Sequence, residues 1–185
     1  MRPLSLVTSN PGKVREFRSA LGPLGFELRQ LQEEIEEIQA DSLEEVVRDC
    51  MRQLAERGIK DYVLDDSGLF IDRLHGFPGV YSAYTLKTLG CGGVLKLLEG
   101  ALERGAEFRC CIGCHVSGRE PFVVSSLTRG RIIEEERGSQ GFGFDPIFVP
   151  EGHDGTFAEM PLSLKNKISH RGKAIKRLAE ELKGG

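Results

Sequence analysis

The chain has 185 residues, of which 39% are hydrophobic and 29% charged, and its formal net charge is -3. That length suits one domain, taken as residues 1–185, and the apolar content suffices for a packed core without a disulfide or metal staple. The negative balance excludes a whole-molecule electrostatic footprint for nucleic acid, and no apolar run approaches the roughly 20 residues that cross a bilayer. A soluble, cytoplasmic protein with no nucleic-acid or membrane partner is expected.

Residues 4–8 read as a short apolar strand. Asn10-Pro11-Gly12 then opens a helix over 11–24, because asparagine is a favoured N-cap and proline suits the first helical position. Val14, Phe17, Ala20, Leu21 and Leu24 recur on its buried face. Residues 26–31 resemble a second strand, and 33–41 are acidic and irregular. Asp41 or Ser42 caps a helix running to about Arg57, where Gly58 stops it. Residues 61–66 form the next strand, ending in Asp65-Asp66-Ser67-Gly68. Gly76-Phe77-Pro78-Gly79 is a rigid loop, and 88–102 read as helical despite their glycines. Residues 107–116 and 121–133 read as antiparallel neighbours around Ser117-Gly118. A glycine-rich loop spans 138–145. The last helix covers 163–183, with Leu164, Ile168, Ile175, Leu178 and Leu182 as its apolar stripe. Strand–helix alternation followed by a hairpin predicts an α/β fold with a mixed sheet.

The five cysteines are Cys50, Cys91, Cys110, Cys111 and Cys114. An odd set argues against a secreted disulfide framework. Cys111 and Cys114 form a C-x-x-C, but no second Cys/His pair at finger spacing completes a zinc site. Within an apolar strand they read as small hydrophobes.

Several segments carry chemistry. At Thr8-Ser9-Asn10-Pro11-Gly12-Lys13 a strand gives way to a helix N-terminus, whose free amides and dipole attract phosphate. Lys13 adds a point charge. Asp65 and Asp66 close a strand, where α/β folds bind ligands, and alternation points the two side chains differently. One carboxylate can hold a metal while the other serves as base or support. Among Glu33, Glu34, Glu36 and Glu37, one member folded against Asp66 completes a hard oxygen site suited to magnesium. Phe142 and Phe144, with Gly143 between them, offer flat faces for a base, and Asp145 an acceptor. Lys165, His170 and Arg171, together with Lys13, can neutralise a polyphosphate. Each segment alone also reads as ordinary turn, core or solvated surface.

Taken together, the blocks are specific. Thr8-Ser9-Asn10-Pro11-Gly12-Lys13, Glu37-Ile38-Gln39, Asp65-Asp66-Ser67-Gly68-Leu69, Gly76-Phe77-Pro78-Gly79-Val80-Tyr81-Ser82, Gly141-Phe142-Gly143-Phe144-Asp145-Pro146-Ile147-Phe148 and Ser169-His170-Arg171-Gly172 occur in one chain. Phe157-Ala158-Glu159-Met160 fits the same pattern. The chain resembles the inosine triphosphate pyrophosphatase family, also called Ham1-like or XTP/dITP diphosphatases, from Thr8 to the last helix. The resemblance implies a two-lobed α/β fold with a long central mixed sheet, flanking helices and a cleft between the lobes. It implies a homodimer that hydrolyses inosine, deoxyinosine and xanthosine triphosphates to monophosphate and pyrophosphate.

By the same resemblance, Thr8, Ser9, Asn10, Pro11, Gly12 and Lys13 grip the triphosphate. Glu37 and Asp66 hold magnesium. Asp66 is also the proton acceptor, supported by Asp65, and Ser67 touches substrate. Phe142, Gly143, Phe144 and Asp145 border the purine. Lys165, His170 and Arg171 read its oxo-substituted edge. Two positions depart from the family pattern. A lysine in the helix after Glu37-Ile38-Gln39 has no clear counterpart, with Arg48 or Arg52 as substitutes. A basic position after the family tyrosine is Ala83, with Lys87 nearby. The rival readings are a Maf-like nucleotide pyrophosphatase of other base preference, a non-catalytic nucleotide sensor, and a structural scaffold.

Overall fold

Three long strands form the spine of the molecule, as seen in a computed structural model that describes residues 2–183. They are β3 (Tyr62–Ile71), β4 (Gly105–His115) and β5 (Phe122–Ile132), joined antiparallel. Beside β3 lies β1 (Arg2–Val7), and beyond it β2 (Phe26–Leu31), both pairings parallel. Past β5, the short β6 (Phe148–Pro150) pairs antiparallel. The order is β2-β1-β3-β4-β5-β6 in one mixed sheet. β6 lies outside every strand expected from sequence; it has three residues, all buried, too few to show alternation.

Helices cover both faces. α1 (Pro11–Leu21) and α6 (His170–Lys183) pack Val14, Phe17, Ile175 and Leu178 against Leu4, Leu6, Val63 and Ile112. α2 (Leu43–Glu56), capped by Ser42, lays Val46, Val47, Met51 and Leu54 over Tyr62, Leu64 and Cys111 on the opposite face. The distal halves of the long strands carry a separate core in which Leu69, Ile71, Phe108 and Ile132 meet Phe144, Phe148 and Phe157. The two ends of the long strands thus belong to two lobes, and a cleft opens where β1 stops. The β1–β3 ladder ends at Val7 opposite Leu64. Asp65, Asp66 and Ser67 follow just past it.

Several boundaries differ from expectation. β3 does not end at Asp66: its ladder with β4 continues from Tyr62 opposite His115 to Ile71 opposite Ala106. Asp65 and Asp66 are therefore mid-strand, and cross-strand pairing overrides the turn preference of Asp-Ser-Gly. α1 stops at Leu21, and Gly22–Leu24 tightens into a 3-10 turn. In place of one helix over 88–102 there are α3 (Ser82–Thr88) and α4 (Gly90–Leu97). They break at Gly90, whose φ of 65° costs little only for glycine.

The expected terminal helix is likewise two, α5 (Leu162–Ile168) and α6. Ser169 between them is extended, and its hydroxyl accepts from the Gly172 amide at 3.1 Å as an N-cap does. The break divides the apolar stripe: Leu164 and Ile168 serve the distal core, and Ile175, Leu178 and Leu182 the core under α1. Cys111 and Cys114 sit in cores on opposite faces of β4, so the C-x-x-C is not a chelating pair. Among the described residues no helix is long and apolar enough to cross a membrane.

Candidate active site

The cleft holds a cavity of ≈ 400 Å³, within the range of nucleotide-sized pockets, and both lobes line it. The strand–helix corner contributes Thr8, Ser9, Asn10 and Lys13. Pro11 and Gly12 are not part of the wall. Gly12 instead supports it: a Cβ there would stand 2.3 Å from the Phe142 ring, so only glycine lets the distal loop close down on α1. The amides expected to be free for phosphate are engaged internally. The Asn10 carboxamide oxygen accepts from Gly12 at 2.8 Å and Lys13 at 3.3 Å, and the Thr8 hydroxyl accepts from the Asn10 amide at 3.1 Å. This corner therefore offers ligands its side chains, with Lys13 partly exposed.

Behind it lies a buried ion network. Lys13 Nζ donates to the Asp65 carbonyl at 2.9 Å and stands 3.3 Å from Asp65 Oδ1. Arg171 donates through Nε to Asp65 Oδ2 at 2.9 Å, through one terminal nitrogen to Glu16, and through the other to the Ser67 hydroxyl at 3.0 Å. Lys165 Nζ donates to Glu16 and to Asp145 Oδ2, each at 2.6 Å. Asp145 Oδ2 also accepts from the Phe142 amide at 2.8 Å. Three cations (Lys13, Lys165, Arg171) thus meet three carboxylates (Glu16, Asp65, Asp145). Burial pushes the Asp65 carboxyl up, but Lys13 and Arg171 outweigh it and hold Asp65 below its ordinary range.

Phe142 lies over this network, with Lys165 Nζ 4.8 Å and the Arg171 guanidinium 5.4 Å from its ring centre. Phe144 and Gly143 also line the cavity, although Phe144 belongs chiefly to the distal core. His170 stacks on Phe108 with ring centres 4.7 Å apart. Burial, then Arg171 and Lys165, push its pKa well below the ordinary value, so the ring is neutral. Its Nδ1 is buried with no hydrogen-bond partner among the described residues.

The opposite wall is acidic. Asp66 Oδ1 accepts from the Ser67 amide at 2.8 Å. Its carboxyl is raised to about 6 by burial, with Lys13 opposing and with Glu37 and Asp65 adding to the rise. Glu33 lines the same wall but is paired with Arg57 at 3.1 Å. Among the described residues no group of three acidic, histidine or cysteine side chains is gathered to hold a metal. Glu37 and Asp66 nevertheless form a two-carboxylate, oxygen-only donor set whose mutual repulsion a hard divalent cation would relieve. Magnesium fits that set, because it takes one or two carboxylates and keeps waters and phosphate oxygens as its other ligands.

The model of the Ham1 family matches residues 4–181. The chain belongs to the Ham1 family. It is 53% identical over 180 residues to the dITP/XTP pyrophosphatase of Thermococcus kodakarensis, covering 97% of each chain. It is 51% identical over 177 residues to the dITP/XTP pyrophosphatase of Pyrococcus horikoshii, covering 96% of this chain and 95% of that one. The Staphylococcus aureus Ham1 protein superposes with a TM-score of 0.84 at 28% identity, over 99% of each chain. A HAM1 protein from Coxiella burnetii gives 0.80 at 30% identity, over the whole of both. The two-lobed fold is therefore that of the family.

Within this Ham1 chain, neither Arg48 nor Arg52 takes the place of the absent lysine. Arg48 pairs with Glu44, and Arg52 with Asp49 and Glu56, all outside the cavity wall. The residue that α2 presents to the cavity is Cys50. Burial, then Glu37, Asp66 and Asp49, raise its thiol to about 12, so it contributes no charge. Ala83 lines the cavity and Lys87 does not. The residue that sequence reasoning missed is Glu16, 3% exposed and bound to both Lys165 and Arg171. Its signal was faint: a charged residue directly before Phe17, on a helix face expected to be apolar.

Proposed function

We propose that this Ham1 protein hydrolyses dITP, XTP and inosine triphosphate to the nucleoside monophosphate and pyrophosphate, with magnesium as cofactor. The observation that carries the reading is the charge pattern of one cavity: three cations matched by three carboxylates on one side, and on the other Glu37 and Asp66, which make no ion pair among the described residues. A divalent cation with a polyphosphate completes such a site. The nearly full-length relatives named dITP/XTP pyrophosphatase support the same substrates.

In this reading Lys13, Thr8, Ser9 and Asn10 hold the triphosphate, with Pro11 and Gly12 shaping the turn beneath it. Glu37 and Asp66 would hold magnesium. The chemistry that magnesium supplies when bound is withdrawal of charge from phosphate oxygens and acidification of a water. Asp66 takes the proton of the water that attacks the α-phosphorus, a water that bound magnesium would already have acidified. Asp65, locked between Lys13 and Arg171, fixes the strand that carries Asp66, and Ser67 contacts substrate. Positioning and charge neutralisation do most of the work, as in other phosphoryl transfers.

Phe142 stacks on the purine, with Gly143, Phe144 and Asp145 bordering it. Lys165, His170 and Arg171 face the base edge. An oxo group at the purine 6-position accepts from such donors. An amino group there sets donor against donor, at about 1–3 kcal/mol for each group left unsatisfied. The proposed protein is one domain over residues 1–185, works in the cytoplasm and assembles as a homodimer. The test is pyrophosphate release from inosine, xanthosine, guanosine and adenosine triphosphates, with and without magnesium. Release from the first two only, and only with magnesium, is expected. Tight binding without release would make the protein a sensor.

A further inference from the structure

Residues 33–38 form a strap along one side of the cavity, outside any helix or strand. Glu33 and Glu37 line the cavity, Glu34, Glu36 and Ile38 line a separate groove against α2, and Ile35 lies between the two and borders both. The four glutamates alternate between the two sides, as side chains do along a β-strand, yet these residues belong to no ladder. A side chain of α2 stands in for the missing neighbour. Gln53 Oε1 accepts from the Glu36 amide at 3.1 Å, and Gln53 Nε2 donates to the Glu36 carbonyl at 2.6 Å. One carboxamide thus closes both backbone groups of one residue, as a paired strand does.

The clamp is itself held. The second N–H of Gln53 goes to Asp49 Oδ2 at 2.8 Å, and Arg52 donates to Asp49 Oδ1 at 2.6 Å. This fixes which way the carboxamide faces, since the reversed amide would turn its NH2 toward the Glu36 N–H. Arg57 adds a second stitch, to the Glu34 carbonyl at 2.7 Å and the Glu33 carboxylate at 3.1 Å. Gln53 does not line the cavity, so any influence on its chemistry passes through the strap.

We propose that Gln53 is a positioning residue, which sets the Glu37 carboxylate opposite Asp66 by clamping the backbone of the residue before it. The inference rests on the reading of Glu37 as a magnesium-holding residue. Without the clamp, Glu37 samples many positions and metal affinity falls; loss of such supporting contacts costs about 10–100-fold in metal sites generally.

The test compares the full-length protein with its Gln53→Ala, Gln53→Glu and Glu37→Gln variants. Mn2+ binding is followed by electron paramagnetic resonance, amide hydrogen exchange is followed over the whole chain, and kcat is measured at saturating magnesium. Gln53→Ala is expected to weaken Mn2+ binding about tenfold, to speed exchange at Glu36 and its neighbours alone, and to retain kcat once metal saturates. Gln53→Glu keeps the acceptor for the Glu36 amide but sets an acceptor against its carbonyl, so it gives the same loss in a side chain of nearly equal size. If Glu37→Gln weakens Mn2+ binding while both Gln53 variants bind it as the parent does, the clamp is refuted and the metal reading stands. If Glu37→Gln binds Mn2+ normally, the metal reading falls and the inference with it. Faster exchange throughout α2 in both Gln53 variants would mark the residue as merely structural.

Discussion

Beside Phe142, the buried cations Lys165 and Arg171 and the partly exposed Lys13 each have a carboxylate within 3.3 Å, and Glu16 alone bridges Lys165 and Arg171. Elsewhere Glu37 and Asp66 line the cavity, and burial lifts Asp66 to about 6, with Glu37 adding to the rise. The first wall is complete as folded: its cations are held by carboxylates, and in the proposed reading they cost no reorganisation when a base arrives. The second gathers an exposed Glu37 and a partly buried Asp66, so like charge and the desolvation of Asp66 both favour a cation beside them. In the proposed reading one cavity thus combines a recognition wall with a metal-binding, reactive one, and the two are expected to respond to charge removal with opposite signs.

The largest effect that would break this contrast is at Asp66. Asp66→Asn is expected to lower kcat by about 10²–10⁴-fold, the range for loss of a general base. The same substitution should stabilise the metal-free protein. Because the folded pKa of about 6 lies above the ordinary 3.8, the folded state binds this proton more tightly than the unfolded chain does. Metal-free stability therefore falls as pH rises through this window and stays lower above it, by about 3 kcal/mol. The amide removes that cost. Urea unfolding in chelator should show the variant more stable above the window, with the gap closing as pH falls toward 3.8. A variant no more stable than the parent would show that the acidic wall carries no excess charge.

Glu16→Gln probes the other wall. Removing one partner from a buried pair costs about 3–5 kcal/mol, because the remaining charges stay buried. Destabilisation in urea is expected here, opposite in sign to Asp66→Asn. A loss no greater than that of an ordinary surface substitution, about 0.5 kcal/mol, would mean that Asp145 and Asp65 suffice to balance Lys165 and Arg171 without Glu16.

Much of this contrast was legible in the sequence, and the rest was hidden for definite reasons. The capped start of α1, the caps of α2 and the β4–β5 hairpin follow from local rules, and the structure has them. The mid-strand placement of Asp65 and Asp66 does not, because only the ladder with β4 holds Asp-Ser-Gly extended. The α5–α6 break at Ser169 was masked by an apolar period that continues through it while serving two different cores. Glu16 pairs with residues 149 and 155 positions away, a separation invisible to any local pattern. Lys165 and Arg171 read as solvated basic surface for the same reason: their carboxylates lie in other segments.

The smallest effect belongs to Arg48. The resemblance implies that a lysine is often present in this helix, and Arg48 is one of the two arginines that could substitute for it. The structure turns it outward, into an exposed i,i+4 pair with Glu44 at 2.7 Å. Such pairs are worth about 0.3–0.5 kcal/mol, and Arg48 touches neither wall of the cavity. Arg48→Ala should leave KM for inosine triphosphate and its magnesium dependence at parental values, with unfolding shifted by no more than that pair. A marked rise in KM would mean that Arg48 reaches the bound nucleotide, and that the acidic wall acquires a cation of its own when substrate arrives. The opposition between matched and unmatched charge would then describe only the empty cavity.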